Sequence, residues 1–273
     1  MPESPEVEAL AEWLDQKITG CRIQAVDLVE FRAVKTRTRS VAALSGERIE
    51  GVRRIGKYLD LQLEGEHLVV SLGRHGWVRW VPPGEMAQQD PPALVTLSID
   101  AGTIEFTDAG SWISLGLWVV DDPHEVSGVA GLGPDPLGAE FSQSVVDQKV
   151  ARRRKQLKAI LQEQQSFAGI GNAYSDEILH RARLSPVVHG DRLSADDLER
   201  LHDAMRDVLG DATAARRGIP IDQLKQAKID AMAVHGRSGE ACPVCGGTIR
   251  DLAFGGTTAQ YCPACQTGGE ILS

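Results

Sequence analysis

Apolar positions change their spacing twice along this chain, and each change marks a change of architecture. From about Pro5 to Ile18, Val7, Leu10, Ala11, Leu14 and Ile18 recur at three- and four-residue intervals, the period of an amphipathic helix. Ser4 stands where an N-cap belongs, and Pro5 suits a first helical position, where its missing N–H costs nothing. From about residue 22 to 120 the period drops to two. The runs RIQAVDLVEF, KYLDLQLE, EHLVVSL, WVRWV, LVTLSID and WISLGLWVV are separated by GE, PPGE, DPPA and DAGS turns. Many short strands in succession predict a sandwich or barrel.

The second change follows GLGPDPLGAE, residues 131–140, a stretch that breaks regular structure and marks a domain boundary. Beyond it the helical period returns over 143–164, 173–183 and 194–215, the last opening with Ser194 and Asp197 in a capping-box arrangement. RGIPIDQLKQAKIDA, 217–231, is less regular and reads as a mobile loop. There are no internal repeats. The chain divides on this reading into 1–132, 133–232 and 233–273, an α+β organisation with strands first and helices after.

Composition fits this picture. The 273 residues are 42% hydrophobic and 25% charged, ordinary for a globular protein and enough for two cores. No stretch approaches the roughly 18–20 apolar residues of a membrane helix, and MPESPEVEAL lacks the basic and apolar regions of a signal peptide, so the expected compartment is the cytoplasm, with no membrane partner. A net charge of −9 argues against polyanion binding over the whole surface, yet KVARRRKQLK, 149–158, carries six Lys or Arg in ten positions. Alone, that run reads equally as a solvated basic face.

Candidate chemistry gathers at the two ends. Cys242-Pro-Val-Cys245 and Cys262-Pro-Ala-Cys265 are two CxxC knuckles sixteen residues apart. In a reducing compartment such a pair reads as a tetrahedral site for one structural Zn²⁺, because each short turn delivers two thiolates from one side and no position is left for water. At the other end, removal of Met1 would leave Pro2 with a free secondary amine. A terminal amine has a pKa near 8, so a useful fraction is uncharged and nucleophilic at neutral pH, with Glu3 beside it to move protons. Lys57, in RRIGKYLDLQL, offers a cation for a phosphate or a proton shuttle. GIGNAYSDEIL, 169–179, places two glycines and Asn172 at a helix N-terminus, where backbone N–H groups can approach a phosphate. Taken singly, Pro2 is also a short lead into the first helix and Lys57 a surface lysine.

In order, these pieces resemble one family. PESPEVE is similar to the PELPEVE terminus of the formamidopyrimidine-DNA glycosylase/endonuclease VIII (Fpg/Nei) family, and RRIGKYLDLQL to its RRxGKYL strand. AGIGNAYSDEIL resembles its helix–two-turn–helix signature, and VHGRSGEACPVCGGTI with YCPACQ its C-terminal zinc finger. The resemblance spans residues 2 to 267. It implies an N-terminal catalytic β-sandwich with flanking helices, a helix–two-turn–helix DNA-binding domain and a four-cysteine zinc finger, with double-stranded DNA carrying damaged bases or abasic sites as the partner and a monomeric protein. It also implies base-excision chemistry: Pro2 attacks C1′ of the damaged nucleotide, expels the base through a Schiff base and cuts the strand by elimination, with Glu3 and Lys57 as acid/base partners. By position, Lys57 and Asn172, with Gly171 before it, hold phosphates beside the flipped nucleotide, and Lys158 faces DNA. Glu6 and Glu177 match acidic residues near the site, and 217–231 matches a loop that folds over an extruded base.

Departures from the family pattern cluster on DNA reading. Where the family commonly has LGMTG, this chain has Leu72-Gly73-Arg74-His75-Gly76, which makes Arg74 the probe entering the gap left by the base. Where many members have DPRRFG, it has Asp108-Ala109-Gly110-Ser111-Trp112-Ile113, so Trp112 replaces the family Phe as the stacking wedge. The family arginine five residues before the third cysteine is Thr257 here, a loss of about 1.5–3 kcal/mol of phosphate contact. The expectation is therefore an active glycosylase/lyase with altered lesion preference, stopping after the first elimination. The alternatives are a damage-binding protein of the same scaffold with little turnover, and a zinc-stabilised RNA- or protein-binding module.

Overall fold

The computed structural model describes residues 1–36, 38–86 and 90–272, with the side chains of Phe254 and Thr257 outside the description. It contains two compact units. One comprises Met1–Gly131 and Arg216–Lys225, the other Leu132–Ala215 and the chain from Gln226 onward.

The first unit opens with helix α1, Ser4–Ile18, whose stripe is buried as its period requires: Val7, Leu10, Leu14 and Ile18 are all 0% exposed. Burial of each such side chain contributes about 1.5–3 kcal/mol. The cap is not the expected Ser4. Glu3 caps the helix in a capping box, its carboxylate accepting from the Glu6 N–H while the Glu6 carboxylate accepts from the Glu3 N–H at 3.1 Å. A carboxylate has two acceptor oxygens and a longer reach than a serine hydroxyl, and Ser4 is pulled inside as the first helical residue.

Eight strands follow: β1 (Ile23–Leu28), β2 (Ile49–Ile55), β3 (Tyr58–Leu63), β4 (His67–Ser71), β5 (Gly76–Val81), β6 (Ala93–Ile99), β7 (Gly102–Asp108) and β8 (Gly116–Val120). They form two antiparallel four-stranded sheets, ordered β1-β6-β7-β5 and β2-β3-β4-β8. Both contribute to one core with α1, through Ile23, Val95, Leu97, Ile104 and Phe106 from one and Leu59, Leu61, Leu68, Val70 and Leu117 from the other. This is the sandwich that the alternating runs predict. The far side of the second sheet is also apolar, because Val69 and Val120 pack against Val126 and Val129 at the short helix α2, Ser127–Ala130.

In the second unit the expected helix 143–164 is two helices, α3 (Gln143–Val150) and α4 (Leu157–Gln162). Arg152 takes a left-handed φ of 66°, and the intervening backbone pairs elsewhere: the Leu157 N–H donates to the Val188 carbonyl at 2.8 Å and the Gly190 N–H to that of Lys155 at 3.1 Å. Helices α5 (Asn172–Ala182) and α6 (Ala195–Arg216) fall where their periodicity places them, and the Ser194 and Asp197 groups exchange the expected capping bonds. Leu157, Ile160, Phe167, Tyr174, Ile178, Leu201 and Met205 share the core.

Residues 217–231 differ from the mobile loop the sequence suggests. Helix α7 occupies Leu224–Ala231, and Ile221 and Leu224 are buried in the first unit's core. The Trp77 indole N–H donates to the Ile221 carbonyl at 3.0 Å, fixing the segment to β5. The last hairpin, β9 (Arg250–Phe254) and β10 (Thr257–Tyr261), turns on Gly255 and Gly256 at φ of 49° and 82°, the pair of positive values a two-residue I′ turn demands. Helix α8, Pro263–Gln266, ends the finger.

Candidate active site

Chain termini usually fray, but this one is tied down: Pro2 and Glu3 are both buried at the start of α1. The capping box fixes the Glu3 backbone and carboxylate together, so the residue after Pro2 has a set orientation. Lys57 lies on the two-residue Gly56–Lys57 turn joining β2 to β3, half-buried, rather than within the strand the sequence suggests. That turn is braced by Arg54, which donates Nη1 to the Gly56 carbonyl at 3.1 Å while its Nε pairs with the Glu8 carboxylate on α1. Sequence reading passed over Arg54, for which the only signal was its place two residues before a glycine turn.

Arg74 and Trp112 sit on separate loops that share one fastening. Ser114 Oγ accepts from the Arg74 N–H at 2.9 Å and the His75 N–H at 3.2 Å, and donates to Asp108 Oδ2 at 2.9 Å. Asp108 also accepts from the N–H groups of Gly110, Ser114 and Leu115 at 2.9, 2.8 and 2.9 Å. Burial alone would raise its pKa, but these hydrogen bonds outweigh it and hold the carboxyl below its ordinary value. Gly73, at φ 54°, could carry no side chain, since a Cβ there would meet the Ser114 carbonyl oxygen at 2.2 Å. On this platform Arg74 is exposed and Trp112 is 84% exposed, an unusual situation for a residue that large.

In the second unit, Gly171 is the N-cap of α5 and Asn172 its first residue. The Asn172 side-chain oxygen accepts from Gln162 Nε2 at 2.9 Å, which fixes the amide plane and turns its NH₂ end the other way. Gln164 clamps the preceding turn, accepting from the Gly169 N–H at 3.0 Å and donating to the Ile170 carbonyl at 2.7 Å.

Lys158 does not face outward as expected. Its side chain is 0% exposed, and its ammonium donates to Asp176 Oδ1 at 2.5 Å, Ser175 Oγ at 3.1 Å and the Asn172 carbonyl at 3.2 Å. An ammonium removed from water needs such a partner set, and α5 supplies all of it. His235 completes the group, its Nδ1 lying 2.8 Å from Asp176 Oδ2. Lys158 thus ties α4 to the first turns of α5. Replacing it by Met would leave Asp176 buried without its cation, with an expected loss of about 3–5 kcal/mol read as a lowered denaturation midpoint. A variant of unchanged stability but weaker DNA affinity would instead return Lys158 to the surface. Glu177 is likewise structural, its carboxylate accepting from the backbone N–H groups of Ala233, Val234 and His235 at 2.8, 3.0 and 2.9 Å.

The sulfurs of Cys242, Cys245, Cys262 and Cys265 all lie within 4.8 Å of one another. Thiolates bound to tetrahedral zinc at ~2.3 Å stand about 3.8 Å apart, so the donor set fits one Zn²⁺. Two groups steady it: the Gly247 N–H donates to Cys245 Sγ at 3.4 Å, and His180 Nε2 on α5 lies 3.3 Å from Cys242 Sγ. The Gly247 contact leads the causes that bring the Cys245 thiol down to about 7, toward the thiolate a metal needs.

Three family models match in succession. They describe the formamidopyrimidine-DNA glycosylase N-terminal domain over residues 1–111, the formamidopyrimidine-DNA glycosylase H2TH domain over 132–222, and the zinc finger found in FPG and IleRS over 239–268. The chain is 34% identical over 278 residues to the formamidopyrimidine-DNA glycosylase of Heliobacterium modesticaldum, covering 97% of this chain and 100% of the relative. It belongs to the formamidopyrimidine-DNA glycosylase family.

Another glycosylase of the family, from Mycobacterium avium, is 34% identical over 97% of this chain and 98% of its own. Among solved structures, the Fpg of Lactococcus lactis in complex with abasic-site DNA aligns with a TM-score of 0.87 at 25% identity, covering 97% of this chain and 99% of that one. The MutM (FPG) protein of Thermus thermophilus aligns at 0.83 and 31% identity, covering 97% and 98%. Within this glycosylase fold the four-cysteine zinc finger stands where the resemblance put it. Thr257, the substitution in the hairpin, is a strand residue whose side chain lies outside the description.

Proposed function

We propose that Pro2, freed by removal of Met1, is the nucleophile of a base-excision DNA glycosylase with abasic-site lyase activity. The observation that carries this is the terminus itself: Pro2 and Glu3 are buried, and Glu3 is held by a capping box with Glu6, where an ordinary lead-in would be exposed. The neutral Pro2 amine attacks C1′ of the damaged nucleotide, the base leaves with a proton, and an iminium links C1′ to the proline nitrogen. Loss of a proton from C2′ then expels the 3′ phosphate, and water releases the product sugar. Glu3 moves the protons, and Lys57 on its braced turn neutralises a phosphate.

Arg74 enters the gap left by the base and Trp112 stacks on the partner strand, both from the loop platform tied by Ser114. The NH₂ end of Asn172 and the backbone after Gly171 bind a phosphate at the start of α5. The zinc ion, held by the four cysteines, stabilises the hairpin and takes no part in bond breaking. The partner is double-stranded DNA containing damaged bases or abasic sites, met by a monomer in a bacterial cytoplasm. Among the described residues no helix is long and apolar enough to cross a membrane.

Borohydride trapping tests the reading, using duplexes that carry an abasic site, an oxidised pyrimidine or an oxidised purine. A covalent adduct mapping to Pro2 is expected. No adduct on any of the three, despite confirmed Met1 removal and tight binding, would leave a damage-binding protein without turnover.

A further inference from the structure

The metal site draws a hydrogen-bond donor from outside the finger. Four thiolates around one Zn²⁺ set four negative charges against two positive ones, and Cys242 and Cys262 carry that excess where they are 3% and 0% exposed. Buried negative charge needs donors around it. Backbone within the finger supplies several: Val244 and Cys245 donate to Cys242 Sγ, and Gly247 donates to Cys245 Sγ at 3.4 Å. His180 is of another kind. Its Nε2 lies 3.3 Å from Cys242 Sγ, yet the residue is a buried side chain in the last turn of α5.

Local structure aims His180 at this sulfur. Asp176 and Glu177 stand four and three residues before it, so the three share one face of α5. Along that face Asp176 meets the His235 ring, Glu177 takes the N–H groups of Ala233, Val234 and His235, and His180 meets Cys242. Just past the helix, the Leu184 carbonyl accepts from Gln266 Nε2 at 2.9 Å, and Oε1 of the same amide accepts from the Cys262 N–H at 2.8 Å. The end of α5 thus reaches two of the four ligands, one at its sulfur and one at its backbone. A helix C-terminus carries partial negative charge, which disfavours anionic sulfurs beside it unless a donor stands between. A metal-bound thiolate has no proton to give, so the contact forms only with the proton on Nε2.

We propose that His180 is a positioning residue of the zinc site, whose Nε2–H bond to the Cys242 thiolate sets how tightly the metal is held and makes α5 part of the metal centre. The inference goes beyond the glycosylase reading and stands without it. The bond stabilises the thiolate against protonation, the step by which a cysteine leaves zinc, and it lowers the energy of the sulfur lone pair.

Cobalt substitution in the whole chain reads that lone pair, because thiolate-to-cobalt charge-transfer bands move to lower energy when the sulfur loses a hydrogen bond. His180→Phe keeps an aromatic ring and removes the donor. It should shift these bands to lower energy and surrender zinc to a chromogenic chelator at ~10–100 times lower chelator concentration. His180→Gln, whose amide restores an N–H, should return both readings most of the way to those of the wild-type chain. A Phe variant that melts earlier but keeps the wild-type bands and zinc retention would make His180 a packing residue and overturn the proposal, as would a Gln variant no better than Phe. If His180→Phe takes up no metal, the wild-type chain decides. Nitrogen-15 NMR of the zinc-loaded protein should show a proton on His180 Nε2, and a bare Nε2 would overturn the proposal. None of these measurements involves excision, so failure of the glycosylase reading would leave their outcome untouched.

Discussion

Glu3→Gln is expected to slow base release by on the order of 10²- to 10⁴-fold while leaving the melting temperature nearly unchanged, because a positioned proton-transfer group contributes about that much. The two effects separate because Glu3 has two roles. As N-cap of α1 it accepts the Glu6 N–H, and the glutamine side-chain oxygen keeps that bond. As an acid/base group it must gain and lose a proton, which an amide cannot do. Single-turnover excision and thermal melting read the two roles independently. An unchanged excision rate would reduce Glu3 to a cap and move the proton transfer to another group. The cap also explains why the less conservative Glu3→Ala is a poorer experiment, since it would fray the turn that positions Pro2.

Cys262→Ser should release zinc and abolish DNA binding, with the first unit still folded. Closed four-cysteine sites contribute an apparent 10–16 kcal/mol of metal binding to folding, and removal of one thiolate opens the site. The apolar cluster around the metal site is small, consisting of Val234, Ile249, Cys242, Cys262 and Cys265, and the hairpin adds only Leu252, Ala259 and Tyr261. The first unit has its own core drawn from α1 and both sheets, and does not depend on the metal. Zinc content, DNA retention and far-ultraviolet melting together check the order of events. Undiminished DNA binding in the variant would mean that the hairpin touches no DNA.

What the sequence made legible was local. The CxxC knuckles carry their geometry within four residues each, and α1, α5 and α6 follow from the spacing of their apolar positions. The lost details depend on partners distant along the chain. Nothing near Lys158 marks it as buried, because its counter-charge, Asp176, arrives from another helix. The helix expected at 143–164 breaks because its middle is recruited by the backbone of 188–190, a competition invisible to periodicity. Residues 217–231 look irregular because Ile219, Ile221 and Leu224 answer to the first unit's core rather than to a helical face. Residue type points to Ser4 as the cap, where a longer carboxylate one position earlier performs the task.

The hydroxyl of Ser114 bears on how this protein's damage preference can change. Because one oxygen receives the backbone of the Arg74 loop and is itself held by the carboxylate that shapes the Trp112 loop, the two probes share a single mechanical reference. In the roles proposed for Arg74 and Trp112, shifting one loop to suit a new lesion would displace the other, the one assigned to the opposite strand. On that proposal, choice of damaged base and choice of its partner would be one adjustable parameter, and an engineer wishing to tune either alone would first have to cut the tie at Ser114.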